Sequence, residues 1–166
     1  FVFKKKTKSL EKTTDEMAQN GYRVMVVASS KNKFNDSELP SGLKLESFVY
    51  ITDKIRAEAP DTLRFFKQEG VTVKVISGDN PETVRAVAMR AGLEDCDNII
   101  DMSTLKTEEE VYEAATKYTI FGRVLPDQKL MLVKALKKAG HTVAMTGDGV
   151  NDVLALKEAD CSVAMA

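Results

Sequence analysis

From Ala59 onward the sequence alternates short apolar runs with amphipathic stretches, and this alternation restricts the fold more than any other feature. Val71 to Ile76, Asn98 to Ile100, Ile120–Phe121, Thr142 to Met145 and Ser162 to Met165 read as strands. Asn80 predicts an N-cap, with Pro81 at the first helical position and Val84, Val87, Ala88 and Ala91 on one face until Gly92. Thr107 and Glu110 form a capping box ahead of Val111, Ala114, Ala115 and Tyr118. Pro126 to Ala139 and Asn151 to Ala159 read as further helices, and one more precedes them between Pro60 and Gly70. Five strands with four helices between them are the pattern of a parallel sheet built from right-handed β-α-β units.

Residues 1–52 follow a different plan. Leu10, Met17 and Ala18 recur at helical spacing, and Gly21 is a stop signal. Tyr22 to Ala28 and Phe48 to Thr52 read as strands, with a polar loop over 29–42. The charged stretch Asp53 to Ala59 reads as a hinge. The expected division is therefore 1–52 and 53–166.

A chain of 166 residues can bury roughly two-thirds of its unfolded surface and needs no disulfide or metal staple. With 24 Lys and Arg against 25 Asp and Glu, it carries neither a basic nucleic-acid arm nor an acidic tail, so no nucleic-acid partner is expected. Cys96 and Cys161 make no disulfide framework, which suits a reducing compartment. The apolar runs fall far short of the about 20 residues a membrane-spanning helix needs. A start at Phe1 and an end in "SVAMA" suggest a piece of a larger protein.

In a parallel sheet, ligands bind beyond the carboxyl ends of the strands. The first of the five strands runs into Ser77-Gly78-Asp79-Asn80, and the fourth into Thr146-Gly147-Asp148-Gly149-Val150-Asn151-Asp152. Lys129 falls in the first turn of the helix after the third. Hydroxyl, glycine-flanked amides and an ammonium suit a phosphoryl group, and a carboxylate beside them suits Mg²⁺. Each residue also has a plainer reading. Ser77 and Asn80 cap helices, the glycines supply turns, Asp148 and Asp152 favour a helix start, and Lys129 is a snorkelling surface lysine. Their joint placement on one rim favours the functional reading. Other motifs fail. "GDGVND" lacks the third glycine of a dinucleotide fingerprint and the Gly-Lys-Ser/Thr of a P-loop. As a calcium loop it has Val153 and Ala159 where glycine and a bidentate Glu are needed. His141 reads as a turn residue, Met145 and Met165 as core, Cys161 as a small buried residue and Cys96 as a loop residue.

"SGDNPETVRAVAMRAG", "FGRVLPDQK" and "MTGDGVNDVLALKEADCSVAMA" closely resemble the phosphorylation domain of P-type ATPases, membrane cation pumps of the haloacid-dehalogenase-like superfamily. The family forms typically read T-G-D-N, F-A-R-V-x-P-x-Q-K and T-G-D-G-V-N-D-A-x-A-L. "NGYRVMVVA" is similar to the end of the family's nucleotide-binding domain. "DKIR" resembles its D-P-P-R hinge, with Lys54 and Ile55 replacing both prolines. The implied fold is a haloacid-dehalogenase-like Rossmannoid three-layer parallel sheet, joined to a partial α+β remnant of the nucleotide domain. Roles follow by position. Ser77 would hydrogen-bond the transferred phosphoryl, Gly78 would offer an amide, and Asp79 would order the loop. Lys129 would neutralise phosphoryl oxygens, and Asp148 would bind Mg²⁺. Asn151 and Asp152 would hold the phosphoryl and orient Lys129, while Thr146 and Gly147 complete the loop. Arg123 and Arg23 would bind ATP phosphates, and Asp53 and Arg56 would sit at the hinge near the nucleotide.

The resemblance also implies a missing part. The family's nucleophile is the aspartate of D-K-T-G-T, which this sequence lacks, as it lacks the membrane helices and actuator domain. Asp101 ends an apolar pair but follows the Ser77 motif, the wrong chain order. Asp95-Cys96-Asp97 mimics the D-x-D of soluble phosphatases but precedes a strand. The expected protein is thus part of a pump on the cytoplasmic face of a membrane, inactive alone, with a gap where the central nucleophile strand belongs. Its partners would be ATP and the rest of the pump, and it would meet the membrane only through the parent's transmembrane helices. The alternatives are a soluble phosphatase of the superfamily and a non-catalytic module binding phosphate and Mg²⁺.

Overall fold

The computed structural model describes residues 7–33, 38–52 and 54–165. Asp53, one of the expected hinge residues, lies outside them. The chain divides into two compact units, Phe1–Lys54 and Ile55–Ala166. No helix among the described residues is long and apolar enough to cross a membrane.

In the first unit, helix α1 (Thr7–Gln19) ends where Gly21 takes a φ of +80° and its N–H reaches the Ala18 carbonyl at 2.8 Å. Strand β1 (Arg23–Ser29) pairs antiparallel with β2 (Lys44–Ile51), with a register shift between Val27 and Ala28. β2 starts four residues earlier than the apolar run at Phe48 predicts. Pairing with β1 draws Lys44 and Glu46 into the ladder, and the Ser29 hydroxyl bonds Glu46 at 2.6 Å. Phe48 stacks on Tyr50, and Tyr22 meets Tyr50 edge-on.

The second unit carries the alternating plan. Its elements are α2 (Ala59–Gln68), β3 (Val75–Ile76), α3 (Pro81–Arg90), β4 (Ile99–Asp101), α4 (Glu108–Lys117), β5 (Ile120–Gly122), α5 (Pro126–Lys138), β6 (Ala144–Gly147), α6 (Val153–Glu158) and β7 (Cys161–Ala164). Every strand pair is parallel, and β5 lies between β3 and β4. β5 is the centre of the core, with Ile120 and Phe121 almost fully buried. β3 is shorter than the Val71–Ile76 run, because it pairs only where the three-residue β5 runs beside it.

The parallel strands form two sheets rather than one: β3-β5-β4 and β6-β7. Helix α5 spans both. Its Leu132 and Ala135 pack with Phe121 and α4, its Val133 packs with Val143 and Ala155, and Leu136 touches both clusters. Because α5 lies between α4 and α6, the outer edge of β3 is the one turned toward β6. The Val75 and Ser77 N–H groups donate to β5, so by ladder alternation those of Ile76 point to the opposite side. Val143 and Gly147 likewise accept from the β7 side, leaving the backbone of Ala144 and Thr146 turned away from it. Among the described residues no strand pairs with either edge.

Two expectations fail here. Met165 is exposed rather than core, and Cys161 is exposed rather than buried, because β7 belongs to a two-stranded piece whose four residues all reach solvent. Cys96 lies in a turn, as expected of a loop residue, and is buried there. It packs with Val84, Ala88 and Ile120, and burial raises its thiol pKa.

Candidate functional site

Three connections leave the carboxyl ends of β3, β5 and β6. The first runs through Ser77 to Asn80. The Asp79 N–H reaches the Ser77 hydroxyl oxygen at 3.2 Å, and Asn80 then caps α3 by accepting the Glu82 N–H at 2.9 Å. The turn after β5 is bonded directly to this loop. The Val124 N–H donates to the Ser77 carbonyl at 3.0 Å, and the Arg123 N–H to the Asp79 carbonyl at 2.8 Å.

This contact depends on Gly122. A Cβ there would lie 2.5 Å from the Pro81 N and Cα, so only glycine lets the end of β5 approach the start of α3 this closely. Arg123 itself takes a φ of +52°, the left-handed region that side chains rarely occupy. Its guanidinium meets Asp101 at the end of β4, Nη1 to Oδ2 at 2.7 Å.

The turn then enters α5. Gln128 accepts the Leu125 N–H at 3.0 Å and donates to the Met102 carbonyl at 3.1 Å, anchoring the helix start to the turn after β4. At the next residue, Lys129 Nζ donates to Asp152 Oδ1 at 2.6 Å. The side chains are only 16% and 9% exposed, which makes this a nearly dry ion pair. Asp152 reaches that depth because a 3₁₀ turn, Val150–Asp152, follows β6, with the Asp152 N–H bonding the Gly149 carbonyl. Gly147 makes room for it. A Cβ at Gly147 would lie 2.7 Å from Asp152 Cβ and Oδ2.

The structure thus joins Ser77 and Asp79 to Arg123, and Lys129 to Asp152, with α5 and its preceding turn common to both groups. Gly78, Asp148 and Asn151 are exposed on the same loops, and Thr146 is exposed near the end of β6. Arg56 is exposed ahead of α2, its carbonyl accepting the Ala59 N–H, and the rim's hydrogen bonds do not include it. Arg23 lies in the first unit, on β1. No group of three His, Cys, Asp or Glu gathers among the described residues. The exposed Asp148 carboxylate on this rim fits Mg²⁺, which binds through one or two carboxylates and takes its other ligands from water and phosphate.

Sequence reasoning considered Asp101 only as a nucleophile and rejected it. It ends a strand, so the strand-end rule that picked out Ser77 could have placed it on this rim. Burial alone would raise the Asp101 pKa. The Ser103 hydroxyl and N–H, together with Arg123, outweigh burial and hold the carboxyl below its ordinary value.

A family model described as haloacid dehalogenase-like hydrolase matches residues 33–160. The chain is 46% identical over 153 residues to the "Probable cation-transporting ATPase exp7" of Streptococcus pneumoniae, covering 91% of this chain and 20% of that protein. It is 45% identical over 152 residues to the "Calcium-transporting ATPase CtpE" of Mycobacterium bovis, covering 91% of this chain and 19% of that protein. To the "Cation-transporting ATPase pma1" of Synechocystis it is 37% identical over 166 residues, covering 94% of this chain and 18% of that protein. The chain therefore spans about a fifth of the length of the curated relatives it matches.

Proposed function

The chain belongs to the haloacid dehalogenase-like hydrolases, and from that premise we propose that it is the phosphoryl-handling part of a P-type cation-transporting ATPase. The observation that carries this reading is the nearly dry Lys129–Asp152 pair at the start of α5, which also anchors the turn bonded to the Ser77 loop. In the parent, an aspartate supplied by a D-K-T-G-T segment outside this sequence attacks the γ-phosphorus of ATP, and ADP leaves. Water then hydrolyses the acyl phosphate, and the cycle drives a cation across a membrane.

The residues of this chain position and neutralise. Lys129 places one positive charge beside the phosphoryl oxygens, and Asp152 holds that ammonium in one direction. Ser77 donates its hydroxyl to a phosphoryl oxygen, and the Gly78 amide adds a second donor. Such pre-aimed groups stabilise charge without reorganising during the reaction. Asp148 would hold Mg²⁺, which supplies further neutralisation of phosphate charge. Arg123 and Arg23 serve the ATP phosphates. Asn151, Thr146, Gly147 and Asp79 shape the loops, and Asp53 and Arg56 belong to the hinge. The unit lies on the cytoplasmic side, and calcium is the first cation to test, because one relative is a calcium-transporting ATPase.

The test uses the full-length parent with radiolabelled ATP, Mg²⁺ and a panel of cations. Acid-stable label should enter the protein in the wild type. It should fall by more than about a hundredfold in Lys129→Ala. Melting curves confirm that the variant is folded. The isolated chain should take up no label, because the covalent step needs the nucleophile. Label on the isolated chain, or an unaffected Lys129→Ala parent, would overturn this reading.

A further inference from the structure

Asp101 is a strand-end carboxylate to which the proposed phosphoryl chemistry gives no part, yet both its oxygens are engaged. Oδ1 accepts from the Ser103 N–H at 3.0 Å and from the Ser103 hydroxyl at 2.6 Å. Oδ2 faces Arg123 Nη1 at 2.7 Å. Ser103 fixes one side of the carboxylate, so the other points in one direction. Asp101 also stands opposite Gly122 in the parallel register, so the pairing of β4 with β5 delivers it to the base of the Arg123 turn.

Arg123 is held from its other end as well. Its N–H is bound to the Asp79 carbonyl, and its left-handed backbone is strained for a residue with a Cβ. Glycine would remove that strain, so the side chain at 123 must be compensated by its contacts. The described contact is the charge-assisted bond to Asp101, of the kind roughly twice as strong as a neutral one. One edge of the guanidinium is thereby occupied, and the Arg123 side chain remains 51% exposed beside the Ser77 loop.

We propose that Asp101 is a positioning residue that fixes the direction of the Arg123 guanidinium, so that its outer edge is presented ready to meet a nucleotide phosphate. The nucleotide part rests on the function proposed above. The arrangement of the arginine does not. A free arginine must give up rotamer freedom when it binds an anion, whereas one already held by Asp101, itself fixed by Ser103, has given up most of it on folding.

The experiment uses the isotope-labelled chain and reads the Arg123 Nε–H by nuclear magnetic resonance, with and without ATP and Mg²⁺. Asp101→Asn keeps the shape and removes the charge. In the wild type the Nε–H relaxation should report an ordered side chain, and in Asp101→Asn a mobile one. ATP affinity should fall about tenfold in Arg123→Ala and by about fivefold in Asp101→Asn. The double variant should bind no worse than Arg123→Ala alone, because the carboxylate acts only through the arginine. An Nε–H that stays ordered in Asp101→Asn, or losses that add in the double variant, would overturn the proposal. If the wild type binds no ATP, the nucleotide reading of this rim falls, and the Nε–H comparison still decides whether Asp101 sets the arginine.

Discussion

Gly122 shows how one missing Cβ shapes the rim. The resembling pumps commonly carry alanine there. In this chain Pro81 occupies the space, with its backbone 2.5 Å from where that Cβ would stand. Backbone gives way less readily than the end of a side chain, so Gly122→Ala must push β5 and the start of α3 apart. The expected cost is about 1–3 kcal/mol in urea unfolding, the range for overpacking a tight site. Gly78→Ala meets only the Val124 carbonyl, at an ordinary 3.9 Å, and should cost far less. Equal costs would show that α3 yields freely. The glycine is visible in the sequence. Its reason is not, because Pro81 is forty-one residues away and arrives only when α3 docks on β5.

The helices keep close to their sequence signals, because those signals are local. The Thr107–Glu110 capping box forms as expected, the Glu110 N–H reaching the Thr107 hydroxyl oxygen and Glu110 returning to the Thr107 N–H. Asn80 with Pro81 starts α3 as read. α6 is shorter than expected, since its first residues form the 3₁₀ turn that seats Asp152. The link from α6 to β7 is tied by Asp160, which no local pattern announced. Its carboxylate accepts the Val143 N–H at 2.9 Å and pairs with Lys137 at 3.2 Å. The bond from Val143, then that from Lys137, lowers its pKa below the ordinary 3.8. An acid with a depressed folded value stabilises the fold above its unfolded value and loses that contribution as pH falls through the folded one. The gap in melting temperature between wild type and Asp160→Asn should be full near neutrality and shrink as the pH drops below about 4. A gap constant down to strong acid would mean the charge is irrelevant there.

The second unit as a whole is a parallel sheet interrupted between β3 and β6, with α5 joining the halves. The resemblance predicted a gap at the missing nucleophile strand, and the two edges turned toward each other are consistent with that expectation. Hydrogen exchange offers the check. In the chain alone, the amides of Ile76, Ala144 and Thr146 should exchange fast, while those of the buried Ile120 and Phe121 exchange slowly. A synthetic peptide spanning the parent's D-K-T-G-T strand should slow the edge amides by pairing with them. Unchanged exchange at those amides would mean that the edges accept no such strand.

The sequence by itself determined the local matters. These are the alternation that makes the strands parallel, the helix starts and stops, and the placing of Ser77, Lys129, Asp148 and Asp152 next to strand ends. Each depends on neighbours within a few residues, through periodicity, capping and glycine geometry. Tertiary structure alone decided that β5 lies between β3 and β4, that the sheet is divided, and that Lys129 meets Asp152 while Arg123 meets Asp101. Those partners are separated by 23 and 22 residues. Whether they meet depends on which strand each crossing helix returns to, and only packing of the whole unit settles that.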